Sequence, residues 1–211
     1  MRSTVSVINV LKKNNYNSEV ATQLLYGETF KKIKKVGSWM KIKNDLDNYK
    51  GYIKSKKFLT NQKNTHKVFN LSATIYSKPH AKCKIKMRLS FGSKIKVVEK
   101  KGKYYKFDNF WINKKDIKKI NLTSKGPFNY INKFKKIKYR WGGKHFTGVD
   151  CSGLIQLFLN LNNQEALNYK NDNKIDYQTY NLAQLNKLHK LTGVYEFHLS
   201  KDSFKILCVN N

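Results

Sequence analysis

With 43 Lys and Arg against 13 Asp and Glu in 211 residues, a formal net charge of +30, the chain is strongly basic and long enough to bury more than one small core. No run approaches the roughly 18 consecutive apolar residues of a membrane-spanning helix. Met1 to Leu11 lacks the charged start, apolar centre and small-residue cleavage site of a secretory signal, so the expected location is the cytoplasm. Cys83, Cys151 and Cys208 are odd in number and far apart, which suits a reducing compartment and argues against a disulfide framework or a Cys-rich zinc site. The basic charge invites a nucleic-acid reading. Yet only Arg2, Arg88 and Arg140 are arginines, and the lysines are spread along every segment rather than gathered on one element. Lys, Asn and Ile abound together, as in a genome rich in A and T, so solvated lysine faces are the simpler expectation. Their field would still attract anions, including peptide carboxylates, acidic lipid surfaces and RNA, with strong salt dependence.

An internal repeat organises residues 1–120. Setting Gly27 against Gly92 aligns Leu24 with Leu89, Phe30 with Ile95, Ile33 with Val98, Gly37 with Gly102, Trp39 with Tyr104 and Ile42 with Phe107, all at an offset of 65. After the loop Asn44-Asp45-Leu46-Asp47-Asn48 the offset falls to 59, aligning Tyr52 with Trp111, Ile53 with Ile112 and Phe58 with Ile117, so one loop differs by six residues. Both copies alternate apolar and polar residues between Gly, Asn and Asp turns, as in Ile95-Lys96-Val97-Val98 and Tyr104-Tyr105-Lys106-Phe107, which predicts short strands and a small β-barrel for each. Tyr26, Trp39, Tyr49, Tyr52, Tyr104, Tyr105 and Trp111 could line peptide grooves, with core packing expected for most of them.

The polar stretch Thr60 to Thr65 separates the two copies, and Asn121 to Pro127 separates the second copy from the C-terminal part of the chain. Phe128 to Lys136 reads as a short helix entering Tyr139-Arg140-Trp141-Gly142-Gly143. Then comes Asp150-Cys151-Ser152-Gly153-Leu154-Ile155-Gln156, with Leu157, Phe158 and Leu161 continuing at helical spacing, so a buried helix is expected from Cys151 to Leu161. A thiol at such a helix start is activated, because unpaired backbone N–H groups and the positive dipole end favour the thiolate. Taken alone, a cysteine there is more often a packing residue. The paired Gly142 and Gly143 permit a turn and a close backbone approach that side chains would block.

Tyr-x-Trp-Gly-Gly, a short loop and Asp-Cys-Ser-Gly-Leu-x-Gln, in this order and spacing, resemble the NlpC/P60 cysteine peptidases, which cut peptide stems of bacterial cell wall. The close resemblance covers about residues 137–163. It implies a papain-like α+β core in which Cys151 attacks the amide carbon, Asp150 and Ser152 help hold the peptide, and Tyr139 lines the cleft near the oxyanion. The strand and glycine pattern of the repeat resembles, more loosely, the bacterial SH3-like domains that often precede NlpC/P60 domains. The expected architecture is therefore multidomain: SH3-like β-barrels at 1–60 and 65–120, then an NlpC/P60-like catalytic domain at 127–211.

Past Asn163 the resemblance fades. The family's general base lies in a Gly-His pair on a strand after the Cys helix, and no Gly-His pair exists here. About 75 residues follow Lys136, where complete domains usually exceed a hundred, so a truncated or altered C-terminus is expected. Candidate bases are His198, in the strand-like run Val194 to Leu199, and His189, in the helix-like run Leu182 to Leu191, while His145 precedes Cys151 and matches no base position of the family. His198 is preferred because it sits in an apparent strand, although a solvent-facing histidine would look the same. Val194 to Val209 has the alternation of a hairpin, with Cys208 a small core residue. The resemblance implies a cysteine endopeptidase acting on γ-D-glutamyl-diamino acid bonds of murein peptides, with no metal or organic cofactor. A catalytically inactive relative that binds wall peptides and a basic nucleic-acid-binding protein are the alternatives. Nothing in the sequence sets the oligomeric state.

Overall fold

The computed structural model describes residues 1–122, 127–161, 195–200 and 203–208. Near the N-terminus, β1 (Val7–Leu11), β2 (Val20–Leu25), β3 (Phe30–Val36), β4 (Trp39–Asn44) and β5 (Lys50–Lys54) form an antiparallel sheet in the order β2-β1-β5-β4-β3. Alternation decides which side is buried. Met40, Ile42 and Asn44 of β4 are buried on one side, while Lys41 and Lys43 are half-buried on the other, where Trp39 is covered by Tyr16 and Lys54. Val10, Leu24, Phe30, Met40, Ile42 and Ile53 make the core, each contributing about 1.5–3 kcal/mol of burial.

The next stretch contains β6 (His66–Val68), β7 (Ser72–Tyr76), β8 (Ile85–Ser90), β9 (Lys94–Ile95), β10 (Glu99–Lys101), β11 (Tyr104–Phe107), β12 (Phe110–Asn113) and β13 (Ile117–Lys119). They form a five-stranded sheet β10-β11-β12-β7-β8 and a three-stranded sheet β13-β6-β9 around a core of Val68, Ala73, Ile75, Leu89, Ile95, Phe107, Ile112 and Ile117. The strand anticipated over Ile95 to Val98 stops at Ile95, because the chain there leaves the three-stranded sheet and turns the corner into the five-stranded one. The repeat is visible in the backbone. Gly27 and Gly92 have φ of 77° and 84°, and Gly37 and Gly102 have φ of 57° and 56°. Ile42 pairs with Gly51 where Phe107 pairs with Phe110, so the drop in offset from 65 to 59 falls wholly in the β4–β5 loop.

From Pro127 to Phe134 the chain is a 3₁₀ helix rather than the short helix to Lys136 read from the sequence. Next come a small hairpin, β14 (Lys144–His145) and β15 (Gly148–Val149), and α1 (Cys151–Leu161), whose bounds are those the periodicity predicts. A second hairpin, β16 (Tyr195–Ser200) and β17 (Ser203–Cys208), lies where alternation places it. The run Leu182 to Leu191, with His189, lies outside the described residues.

The helix is held by both sheet systems. Leu154, Ile155, Leu157, Phe158 and Leu161 of α1 pack with Ile131 and Phe134, with Leu25 at the end of β2 and with Phe91 just after β8. Lys67 of β6 is buried and donates from Nζ to the carbonyl oxygens of Leu122 (3.0 Å) and of Leu161, the last residue of α1. A cation at a helix C-terminus satisfies an orphan carbonyl and complements the dipole. Arg2 grips the Asp108 carboxylate with two bonds, 2.8 and 3.1 Å, and the Tyr26 hydroxyl donates to the same group, tying the first sheet to the β11–β12 turn.

Candidate active site

Asp150 organises the start of α1. Its Oδ1 accepts from the backbone N–H of Gly153 (2.6 Å) and from the Ser152 hydroxyl (3.0 Å), an N-cap arrangement, while its Oδ2 accepts from the N–H of Gly142 at 2.8 Å. The Asp150 N–H returns a bond to the Gly143 carbonyl at 3.1 Å, and Gly143 N–H bonds to the Arg140 carbonyl at 2.9 Å. One carboxylate therefore fastens the Tyr139 to Gly143 loop to the helix that begins with Cys151. The glycines are required by contact. Gly142 has φ of 68°, and a side chain there would meet the Val20 carbonyl at 2.5 Å. A Cβ on Gly153 would collide with the Gly143 carbonyl oxygen. Cys151 is the first residue of this helix, directly after its Asp150 cap.

Tyr139 and Trp141 stand beside this helix start, 43% and 45% exposed. Tyr139 forms a parallel bridge with Val149, next to Asp150, and burial together with the Asp150 charge raises its phenol. The Trp141 indole N–H donates to the Glu19 carboxylate, which belongs to the first sheet's β1–β2 hairpin. Tyr49, in the β4–β5 loop, has its phenol pushed up to about 12 by burial and then by the charges of Asp47, Asp150 and Glu19. In a chain of net charge +30, the residues around Tyr49 are locally acidic. Tyr49 was legible as a candidate aromatic; Glu19 and Asp47 carried no signal, since they meet the site only through folding.

Behind this face lies a buried charge cluster. Lys144 is 1% exposed, and its Nζ sits 3.3 and 3.4 Å from the Glu28 carboxylate oxygens and 3.7 Å from Asp47. These charges outweigh desolvation and raise the ammonium above its ordinary value. Glu28 also accepts from the Leu25 N–H, Asp47 accepts from the Tyr49 N–H, and Lys144 N–H donates to the Gln23 side chain. His145 is buried too, with Nε2 3.0 Å from Ser6 Oγ and Nδ1 2.9 Å from Thr147 Oγ1. Ser6 gives its hydroxyl proton to the Arg88 carbonyl, so His145 holds its proton on Nε2 and accepts at Nδ1. His198 lies on β16, opposite Lys205 of β17. Cys83, in the β7–β8 hairpin, is half-buried; desolvation opposes its ionisation, but hydrogen bonds led by the Lys78 backbone bring its thiol below the ordinary value. No group of three or more His, Cys, Asp or Glu among the described residues is placed to hold a metal. No helix among them is long and apolar enough to cross a membrane.

Residues 136–190 match the model of the NlpC/P60 family, a span that runs beyond Asn163, where the motif resemblance fades. Residues 10–58 match the bacterial dipeptidyl-peptidase Sh3 domain. Among solved structures, an NlpC/P60 family protein from Bacillus cereus ATCC 10987 superposes with a TM-score of 0.66 at 16% identity, covering 99% of this chain and 88% of that one. NlpC2 from Trichomonas vaginalis covers 76% of this chain and 64% of its own, with a TM-score of 0.29 at 16% identity. No curated protein matches the chain. The chain thus contains an NlpC/P60 family domain and a bacterial SH3 domain, in a mostly β structure that shares the fold of the Bacillus protein.

Proposed function

We propose that this protein is a cysteine endopeptidase that hydrolyses γ-D-glutamyl-diamino acid bonds in murein peptides. The observation that carries the reading is Cys151 at the first turn of α1, locked to the Tyr139 to Gly143 loop through both oxygens of Asp150, inside the span that matches the NlpC/P60 family. The Cys151 thiolate attacks the γ-glutamyl carbonyl carbon. The C–N bond to the diamino acid then breaks as His198 protonates the leaving amine, leaving a thioester that water hydrolyses with His198 taking back a proton. Ser152 and Asp150 contact the peptide, and Tyr139 flanks the developing oxyanion. The 65–120 unit is a second SH3-like module, supported by its matched left-handed glycines and its hairpin register. The three units divide at 1–60, 65–120 and 127–211. The first unit closes one end of the cleft. The acidic surroundings of its Tyr49, made by its own Asp47 and Glu19 and by Asp150 of the third unit, favour a substrate's free N-terminal ammonium, and thus short, already trimmed peptides.

Hydrolysis of L-Ala-γ-D-Glu-diamino acid peptides tests the reading. Turnover should vanish in Cys151→Ala, fall on the order of 10²-fold in His198→Ala with His189→Ala nearly unchanged, and weaken when the peptide amine is acetylated. Peptide binding with no turnover above the Cys151→Ala control would replace the peptidase by a peptide-binding relative. Loss of rate in His189→Ala alone would move the base to His189.

A further inference from the structure

The outer face of the first sheet gathers lysines that the sequence disperses. Residues directly opposite each other across strands share a face, with Cβ atoms about 4.5–5.5 Å apart. Lys31 on β3 pairs with Lys43 on β4, which pairs with Lys50 on β5, so one row is lysine throughout. The next row is Lys34, Lys41 and Tyr52, and the third is Val36, Trp39 and Lys54. None of Lys31, Lys34, Lys41, Lys43, Lys50 or Lys54 makes an ion pair among the described residues. Like charges placed opposite one another destabilise a sheet.

Edge protection explains part of this. β3 is an edge strand, and lysines there discourage edge-to-edge pairing. Lys41, Lys43, Lys50 and Lys54 lie on inner strands, where that reason does not apply. Lysine-rich composition does not explain it either, because the second copy of the repeat solves the same position differently. Lys34, Lys41 and Tyr52 correspond to Glu99, Lys106 and Trp111. In that copy the cation lies over the ring at 5.7 Å, as Lys41 lies over Tyr52 at 5.6 Å, but Glu99 completes a cross-strand ion pair of 3.1 Å with Lys106. The first copy keeps a lysine where a neutralising glutamate fits.

The face is a two-dimensional array rather than a groove, and lysine is a point charge without the planar fork that reads individual phosphates. Exposed Ile33, at the β3 bulge, and Tyr16, packed edge-on to Trp39 beneath Lys54, border it as apolar and amphipathic groups. A polymer threads a channel; a plane of lysines with apolar residues at its margin complements a plane of anions. From these observations we infer that the Lys31, Lys34, Lys41, Lys43 and Lys50 face docks on the surface of an anionic lipid bilayer. β3, which carries Lys31 and Lys34, lies at the opposite edge of the sheet from β2, which meets β14 through the Gln23 to Lys144 bond.

The test is co-sedimentation of the full chain with phosphatidylcholine vesicles containing about one-third phosphatidylglycerol. Binding should be absent on phosphatidylcholine alone and fall steeply from about 50 to 200 mM salt. The variant Lys34→Glu, Lys43→Gln, Lys50→Gln, in which the new carboxylate on β3 reproduces the pairing that Glu99 makes with Lys106 and so preserves the fold, should bind on the order of 100-fold more weakly. The control Lys84→Glu, Lys86→Gln, Lys101→Gln removes the same charge from exposed positions of the second copy and should bind within a few-fold of the unmodified chain. Equal losses in both variants would reduce the effect to net charge and overturn the assignment. So would absence of vesicle binding, or binding of a single-stranded oligonucleotide, but not of vesicles, through the same lysines.

Discussion

Replacing His145 by Gln should remove a specific part of the protein's sensitivity to acid. The imidazole is pushed down from 6.5 to about 4, first by burial and then by the charge of Arg140. Its geometry explains why the folded state refuses a proton: Nδ1 is an acceptor for the Thr147 hydroxyl, and Nε2–H is already committed to Ser6. In the unfolded chain the group titrates near 6.5. A depressed imidazole leaves stability untouched at about pH 7.5 and erodes it as the pH falls below 6.5, because only the unfolded state then takes up the proton. The loss is about 2 kcal/mol at pH 5 and roughly 3 kcal/mol once the pH is below 4. For a chain of this length that is about 4–8 °C in Tm between pH 7.5 and 5. Gln keeps a donor for Ser6 and does not titrate. Thermal unfolding followed by circular dichroism across this range should show a shallower pH dependence for His145→Gln than for the unmodified protein. Parallel curves would refute the linkage and mean that carboxylates elsewhere account for the acid sensitivity.

Lys144→Met should be among the most damaging single changes. It leaves Glu28 and Asp47 buried without their cation, a loss of about 3–5 kcal/mol by chemical denaturation, and a loss under 1 kcal/mol would show that water or rearrangement compensates. Gly153→Ala should separate Gly143 from the first turn of α1 and abolish peptide hydrolysis and binding together; retention of both would mean that the Asp150 clamp is dispensable. A limiting thiol alkylator should modify Cys151 before Cys83, although hydrogen bonds also depress the Cys83 thiol. Mass spectrometry of the labelled peptides reads the order, and equal labelling would remove the case for an activated Cys151.

Local chemistry was enough to define α1 from Cys151 to Leu161, since apolar residues three and four apart specify a helix wherever it packs, while the Asp150 cap at its start became visible only in the fold. It also sufficed for β11 from Tyr104 to Phe107, and for the repeat, whose left-handed glycines mark turns that tolerate few other residues. Where the chain leaves one sheet for another, as at residues 96–98, alternation continues in the sequence but pairing does not, so no local pattern marks the break. The surroundings of the site needed the fold. Lys144 meets Glu28 across 116 residues and Trp141 meets Glu19 across 122, and no periodicity links positions so far apart. The same holds for Lys31, Lys43 and Lys50, which are scattered among many lysines along the chain and become a row only when cross-strand register sets them side by side. Periodicity reports which side of an element faces inward; which elements meet, and therefore which charges face each other, is decided by packing several such faces around one core.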